Sequence, residues 1–202
     1  TKIRKKRNLN KFMDLGIKNK NALITGGSRG LGLASAVSLA KEGVNLIICA
    51  RSKDDLEKAE DKLDQYNVNV ITFEQELSDE KSVKEFYSKI KSKVSNVDIL
   101  VNNVGGSLGT TSLLESEIKD FQKVMDINTW VAISLTKLFV EEMIDRGWGR
   151  IINIASIYGR EYGGSAPYMA AKAALIAATK HTAINLAKTG VTANCIAPGS
   201  IK

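Results

Sequence analysis

The sequence predicts a three-layer α/β sandwich built on a parallel sheet. Six apolar segments of strand length alternate with helical stretches along the chain. Some of these segments are unbroken apolar runs, as expected where helices cover both faces of a sheet. Every connection carries a helix, so consecutive strands run parallel through right-handed crossovers.

The first strand, 21–25, enters a glycine-rich turn and then an Ala/Leu-rich helix through about 41, with Gly43 as its C-terminal stop. Residues 44–50 form a continuous apolar strand. Ser52, with Asp55 three residues on, resembles a capping box and opens a charged helix to about 66. A third strand, 68–73, precedes a helix that Ser78 can cap, running to about 94. The fourth strand, 97–101, ends in Asn102-Asn103-Val104-Gly105-Gly106. Ser116 is placed as the cap of one long helix to about 145, and 150–155 is the fifth strand. Pro167 sits near the start of the last helix, which runs to about 188 with Gly190 just beyond. The sixth strand, 191–197, stops at Pro198-Gly199.

A chain of 202 residues suits one domain with a sizeable core. Its 44% hydrophobic and 25% charged content is that of an ordinary globular protein. No apolar run reaches the roughly 18 residues of a membrane span. Residues 1–12 have a basic start without the apolar core of a signal peptide. Cys49 and Cys195 lie in apolar runs with no metal-ligand spacing, so both read as buried thiols in a reducing, cytoplasmic setting, with no metal expected. Of the net charge of +7, Lys2, Arg4, Lys5, Lys6 and Arg7 supply five positive charges. Residues 1–13 are expected to be a flexible basic leader ahead of a domain over 14–202. The rest has no basic stripe interleaved with aromatic residues, so nucleic acid is not an expected partner.

Thr25-Gly26-Gly27-Ser28-Arg29-Gly30-Leu31-Gly32 follows the first strand and opens the first helix. Glycines there let the backbone approach a pyrophosphate, and the helix start offers unpaired N–H groups. The spacing Gly-x-x-x-Gly-x-Gly departs from the usual Gly-x-Gly-x-x-Gly, and no Gly-Lys-Ser/Thr follows to suggest phosphate transfer. The second strand ends in Ala50-Arg51-Ser52 where an NAD site commonly carries an acid. Arg51, with Arg29 beside it, can pair with a 2′-phosphate, which makes NADP(H) the expected cofactor.

Tyr168 and Lys172 are four residues apart on a helix and share a face. A free phenol titrates near about 10. A nearby ammonium is expected to lower that value and so make Tyr168 an acid–base group. Ser156 follows the fifth strand at its carboxyl end, where its hydroxyl can either steady a substrate oxygen or cap a turn. Asn128 is a polar residue in mid-helix, either locally hydrogen-bonded or holding a water near Lys172. His181, the one histidine, reads as a packing or surface residue.

Taken in order, Thr25-Gly26-x-x-x-Gly30-x-Gly32, Asn102-Asn103-Val104-Gly105, Asn128, Ser156, Tyr168-x-x-x-Lys172 and Pro198-Gly199 resemble the short-chain dehydrogenase/reductase family over about 15–201. The resemblance implies a doubly wound, Rossmann-like fold and hydride transfer between NADP(H) and a carbonyl or secondary alcohol. It implies Tyr168 as acid/base, Lys172 as ribose clamp, Ser156 as stabiliser of the substrate oxygen and Asn128 as relay. It places Gly26, Ser28, Arg29, Gly30, Leu31 and Gly32 around the cofactor phosphates and Arg51 and Ser52 on the 2′-phosphate. Glu76 and Leu77 then belong to the adenine contact, and Asn103, Val104 and Gly105 to the adenosine and ribose side. Ile154, Pro198, Gly199 and Ile201 belong to the nicotinamide half.

Val104 stands where the family usually has alanine, and Glu76-Leu77 where it has aspartate and a small apolar residue. The family's further helix and seventh strand do not follow in this chain, which would leave a sheet edge unpaired. The pattern is most similar to the 3-oxoacyl-[acyl-carrier-protein] reductases of fatty acid biosynthesis, including the lead-in Asp14-Leu15-Gly16. That branch implies a carbonyl or acyl-thioester substrate, carrier-protein-bound, and a homo-oligomer, tetramer or dimer. The alternatives are reduction of another ketone, a sugar or a steroid, or a non-catalytic NADP(H)-binding scaffold or regulator.

Overall fold

The computed structural model describes residues 13–199; most of the basic leader and Ile201 lie outside them. Among the described residues six parallel strands form one sheet: β1 Asn21–Thr25, β2 Asn45–Ala50, β3 Val70–Glu74, β4 Ile99–Asn102, β5 Gly149–Ile154 and β6 Val191–Ile196. Their order is β3-β2-β1-β4-β5-β6. Leu23 of β1 lies between Ile47 and Leu100, and Ile152 of β5 lies between Val101 and Asn194. This is the doubly wound arrangement that the alternating segments predict.

Among the described residues six α-helices connect and follow the strands: α1 Gly30–Lys41, α2 Lys53–Leu63, α3 Glu80–Lys91, α4 Ile118–Met125, α5 Val131–Asp145 and α6 Ala166–Asn185. Successive strand residues point to opposite faces, so the apolar runs feed two cores. Ala22, Ile24, Leu46 and Ile48 meet Ala36 of α1 and Leu56 and Leu63 of α2. Leu23, Ile47 and Leu100 meet Phe86 of α3 and Leu135 and Phe139 of α5 on the other face. Phe139 is fully enclosed, and truncating such a ring to alanine costs about 3–5 kcal/mol.

The helix starts follow local chemistry. The Ser52 hydroxyl accepts from the Asp55 N–H at 3.2 Å and opens α2. The cap of α3 falls one residue later than expected, at Asp79, whose carboxylate accepts from the Ser82 N–H while the Ser82 hydroxyl accepts in return. Ser116 does not cap the next helix. Glu117 and Asp120 form that box, and the Ser116 hydroxyl is buried without a partner. The single helix expected over 116–145 is two helices joined by a π-helical turn, Asp126–Trp130, with Asn128 at its centre. Cys49 is buried, as expected; Cys195, on the edge strand β6, is half-buried. His181 is exposed on α6.

Candidate active site

β1 and β4 are neighbours, yet the helices that follow them cover opposite faces of the sheet. A crevice therefore opens beyond their carboxyl ends, where sheets of this kind bind ligands. A cleft of about 630 Å³ lies there, walled by Gly26, Ser28, Arg29 and Leu31, then by Arg51, Ser52, Glu76 and Leu77, and on the β4 side by Asn103, Val104 and Gly105. Gly30 and Gly32 act through shape. Any side chain at Gly32 would overlap the Gly26 carbonyl, so the turn closes tightly on α1 only with glycine there. Arg29 precedes α1 in extended conformation and no side chain caps the helix, leaving first-turn N–H groups open to an anion.

Thr25 fastens the turn to β4. Its hydroxyl accepts from the N–H groups of Asn103 at 2.9 Å and Val104 at 3.1 Å. The Asn103 amide donates back to the carbonyls of Thr25 and Gly26 at 3.0 and 3.1 Å. Asn103 is thus a staple of the cleft as well as part of its wall. Val104 packs beside Gly26 and against the core, so the larger side chain is accommodated without blocking the cleft.

Arg51 lies 3.8 Å from Glu76, and Arg29 lies 4.0 Å from Asp55. Both guanidiniums are largely exposed, and such pairs are worth little, so a doubly charged phosphate competes well for them. The uncapped helix, the tight glycine turn and these two cations fit a dinucleotide bearing an extra phosphate.

A second hollow, about 560 Å³, adjoins the β4 loop and the start of α6, and Tyr168 is in its wall. Lys172 is buried one turn further along α6 and donates to the Ile154 carbonyl at 2.8 Å. Its ammonium lies 5.6 Å from the centre of the Tyr168 ring. Of the two roles expected of Ser156, the turn cap is present. Its hydroxyl accepts from the Tyr158 N–H at 3.2 Å, capping the short 3₁₀ turn Ile157–Gly159, and it pulls the Tyr168 phenol downward.

Burial pushes the Lys172 amine down to about 8. Burial also raises the Tyr168 phenol, against a smaller downward pull from Ser156. The expectation that Lys172 lowers the phenol is corrected here: its ammonium is itself weakened by burial and is directed at the Ile154 carbonyl. Cys49, beneath the glycine turn, is pushed up to about 12 by burial and is an inert thiol.

Asn128 is fully engaged. Its amide donates to the carbonyls of Gly106 and Val124, each at 2.8 Å, and its oxygen accepts from the Gly106 N–H at 3.0 Å. It therefore sets the β4 loop against α4. Gly105 lies between Asn128 and Lys172 with no room for a side chain. Thr129 ties the π turn to α6 by donating to the Ala171 carbonyl at 2.8 Å. Pro198 accepts from the Ile157 N–H at 3.0 Å and Gly199 packs by Ile157, so they buttress the Ser156 turn and, like Ile154, line neither hollow.

Sequence reasoning missed several contributors. Thr25 was visible as a polar residue ending an apolar strand. Gln75, Lys123, Asp126 and Ile127 also wall the first cleft, and no motif spacing marks them; Asp55, marked only as part of a capping box, joins them. Asn102 donates to Asn153 and Asn153 to Thr179, each at 2.8 Å, a polar thread from β4 through β5 to α6. Asn153 and Thr179 were marked only as polar residues inside apolar segments.

A doubly wound fold with a dinucleotide cleft and a Ser/Tyr/Lys group at its edge defines a class of nucleotide-dependent oxidoreductases. The short-chain dehydrogenase family model matches residues 20–202, and the chain belongs to that family. A 3-oxoacyl-[acyl-carrier-protein] reductase of Rickettsia prowazekii is 38% identical over 190 residues, covering 93% of this chain and 75% of that protein. An acetoacetyl-CoA reductase of Cupriavidus necator is 35% identical over 182 residues, covering 89% and 74%. The crystal structure of L-sorbose reductase from Gluconobacter frateurii, complexed with NADPH and L-sorbose, superposes with a TM-score of 0.89 at 33% identity, covering 94% and 73%. Among the described residues, no helix is long and apolar enough to cross a membrane.

Proposed function

We propose that this chain is an NADP(H)-dependent oxidoreductase that interconverts a carbonyl and a secondary alcohol. One observation carries the reading: Tyr168 stands in the wall of a second hollow beside the nucleotide cleft, with the Lys172 ammonium 5.6 Å from the centre of its ring. Arg51 and Arg29 hold the 2′-phosphate, and the open start of α1 receives the pyrophosphate. Bound NADPH supplies the hydride.

Ser156 donates to the substrate oxygen and steadies the negative charge that grows there. Tyr168 gives that oxygen its proton, and a raised phenol pKa keeps the proton on Tyr168 at neutral pH, which suits reduction. Lys172 orients the nicotinamide ribose. Asn128 and the π turn fix the Gly105–Gly106 backbone beside Lys172.

Sequence kinship favours a 3-oxoacyl thioester as substrate, carried on acyl carrier protein. A hydroxylated ketone is a second reading, favoured by the polar wall of the Tyr168 hollow. NADPH oxidation with a 3-oxobutanoyl thioester and with a ketohexose, run beside NADH, tests the shared chemistry. Turnover at least about tenfold faster with NADPH supports it, since one charge-assisted phosphate contact is worth that much. Turnover with NADH alone contradicts the assignment of Arg51.

A further inference from the structure

Ser165 directly precedes α6, three positions ahead of Tyr168, and its side chain does not cap the helix. A serine there commonly accepts from an N–H of the first turn, but Pro167 has none to give. Ser165 is buried, and its hydroxyl lies instead 2.7 Å from that of Thr110, on the loop after β4. We infer that Thr110 and Ser165 are positioning residues: their bond sets where the first turn of α6 holds the Tyr168 hydroxyl. The inference rests on proton transfer from Tyr168 and adds to it the means of placing that group.

The direction of the bond follows from its neighbours. Thr110 donates its one hydroxyl hydrogen to the Ser107 carbonyl at 2.6 Å, so Ser165 is the donor to Thr110. The Thr110 N–H donates to the same carbonyl at 3.1 Å, which closes residues 107–110 into a turn. Beside it, the Ala166 N–H donates to the Thr111 carbonyl at 3.0 Å. Two consecutive loop residues, Thr110 and Thr111, thus clamp two consecutive residues at the start of α6, Ser165 and Ala166.

The approach to the helix is built of glycine. The chain enters α6 through Gly163 and Gly164, both at positive φ, whose backbone passes the Tyr158 ring with no side chain to lock it there. Further along α6 the supports are separate ones. Thr129 donates to the Ala171 carbonyl and Lys172 to the Ile154 carbonyl, each at 2.8 Å. Loss of the clamp therefore loosens the turn that carries Tyr168 and leaves Lys172 in place. Misplacing a reacting group by about 1 Å can cost about 100-fold in rate. NADPH, held in the other cleft, loses no contact.

The test measures single-turnover NADPH oxidation, with the 3-oxobutanoyl thioester and the ketohexose, beside NADPH affinity by fluorescence. Thr110→Val and Ser165→Ala should each slow turnover by at least about tenfold, with NADPH affinity within about twofold of the wild type. The double variant should be no slower than Thr110→Val, because both substitutions remove one bond. Thr110→Ser keeps the hydroxyl and should restore most of the rate. Added to Tyr168→Phe, Thr110→Val should cost nothing more, since the clamp acts through the hydroxyl already removed. Circular dichroism confirms the fold of each variant. Wild-type rates in both single variants, losses that multiply in the double variant, or an equal loss of NADPH affinity overturns the clamp and leaves carbonyl reduction standing. So does a Thr110→Ser rate as slow as that of Thr110→Val, or a further loss on top of Tyr168→Phe. Turnover preserved in Tyr168→Phe, or none in the wild type despite NADPH binding, overturns the catalytic reading and the clamp with it.

Discussion

Arg51 is held 3.8 Å from Glu76 by a pair that water already weakens, so its guanidinium is available to a stronger anion. Replacing Arg51 with alanine should raise KM for NADPH by about tenfold, with a much smaller effect on NADH, because only the former carries the 2′-phosphate. Steady-state kinetics with both cofactors check this. Lys172 has a different signature. Its folded pKa of about 8 lies below the ordinary 10.5, so the folded chain loses this proton first. Between those values the unfolded chain binds more protons, and stability from this group rises with pH; below pH 8 the cost of a buried charge is present in full. Urea unfolding of the wild type and Lys172→Met from pH 7 to 10.5 should show the wild type gaining up to about 3 kcal/mol relative to the variant. Parallel pH slopes for the two proteins would contradict a depressed Lys172.

At the scale of elements, the π-helical turn Asp126–Trp130 is where local chemistry overrode a regular helix. A continuous helix over 116–145 satisfies periodicity, but Asn128 bonds to both backbone groups of Gly106 and to the Val124 carbonyl. The two Gly106 bonds join distant segments, and periodicity does not register them. Asn128→Ala would leave these buried groups unpaired, at about 2–3 kcal/mol for the worst of them, and loosen the Gly105 backbone from Lys172. Chemical denaturation should read that loss, and kcat should fall with it; an unchanged midpoint and kcat would show the bonds to be dispensable.

The neighbouring elements show why some features were legible and others were not. The six strands follow from apolar runs, and the Gly26–Gly32 turn and the Tyr168/Lys172 pair follow from spacing within one segment. The caps at Asp79 and Glu117 each fall one residue beyond the serine expected, where an acidic residue follows it. Thr25, Asn103 and the Asn102–Asn153–Thr179 thread join separate strands, so only the folded chain reveals their partners.

Across the whole molecule, the order of the strands explains why one sheet serves both clefts. The reversal between β1 and β4 opens the nucleotide crevice, and the adjacent β5 carries Ser156 from its end toward Tyr168 on α6. The polar thread and the Thr129–Ala171 bond brace α6 against the sheet and the π turn, so Tyr168 and Lys172 are set by the packing of the entire carboxyl edge. In the proposed reaction this edge reduces a carbonyl with the Tyr168 hydroxyl as proton donor. Tyr168→Phe keeps the ring and removes only that hydroxyl, and the decisive comparison is single-turnover NADPH oxidation beside NADPH binding by fluorescence. The account predicts turnover reduced by at least about 100-fold, the usual worth of a general acid, with NADPH affinity within about twofold of the wild type. Turnover preserved in Tyr168→Phe would contradict it.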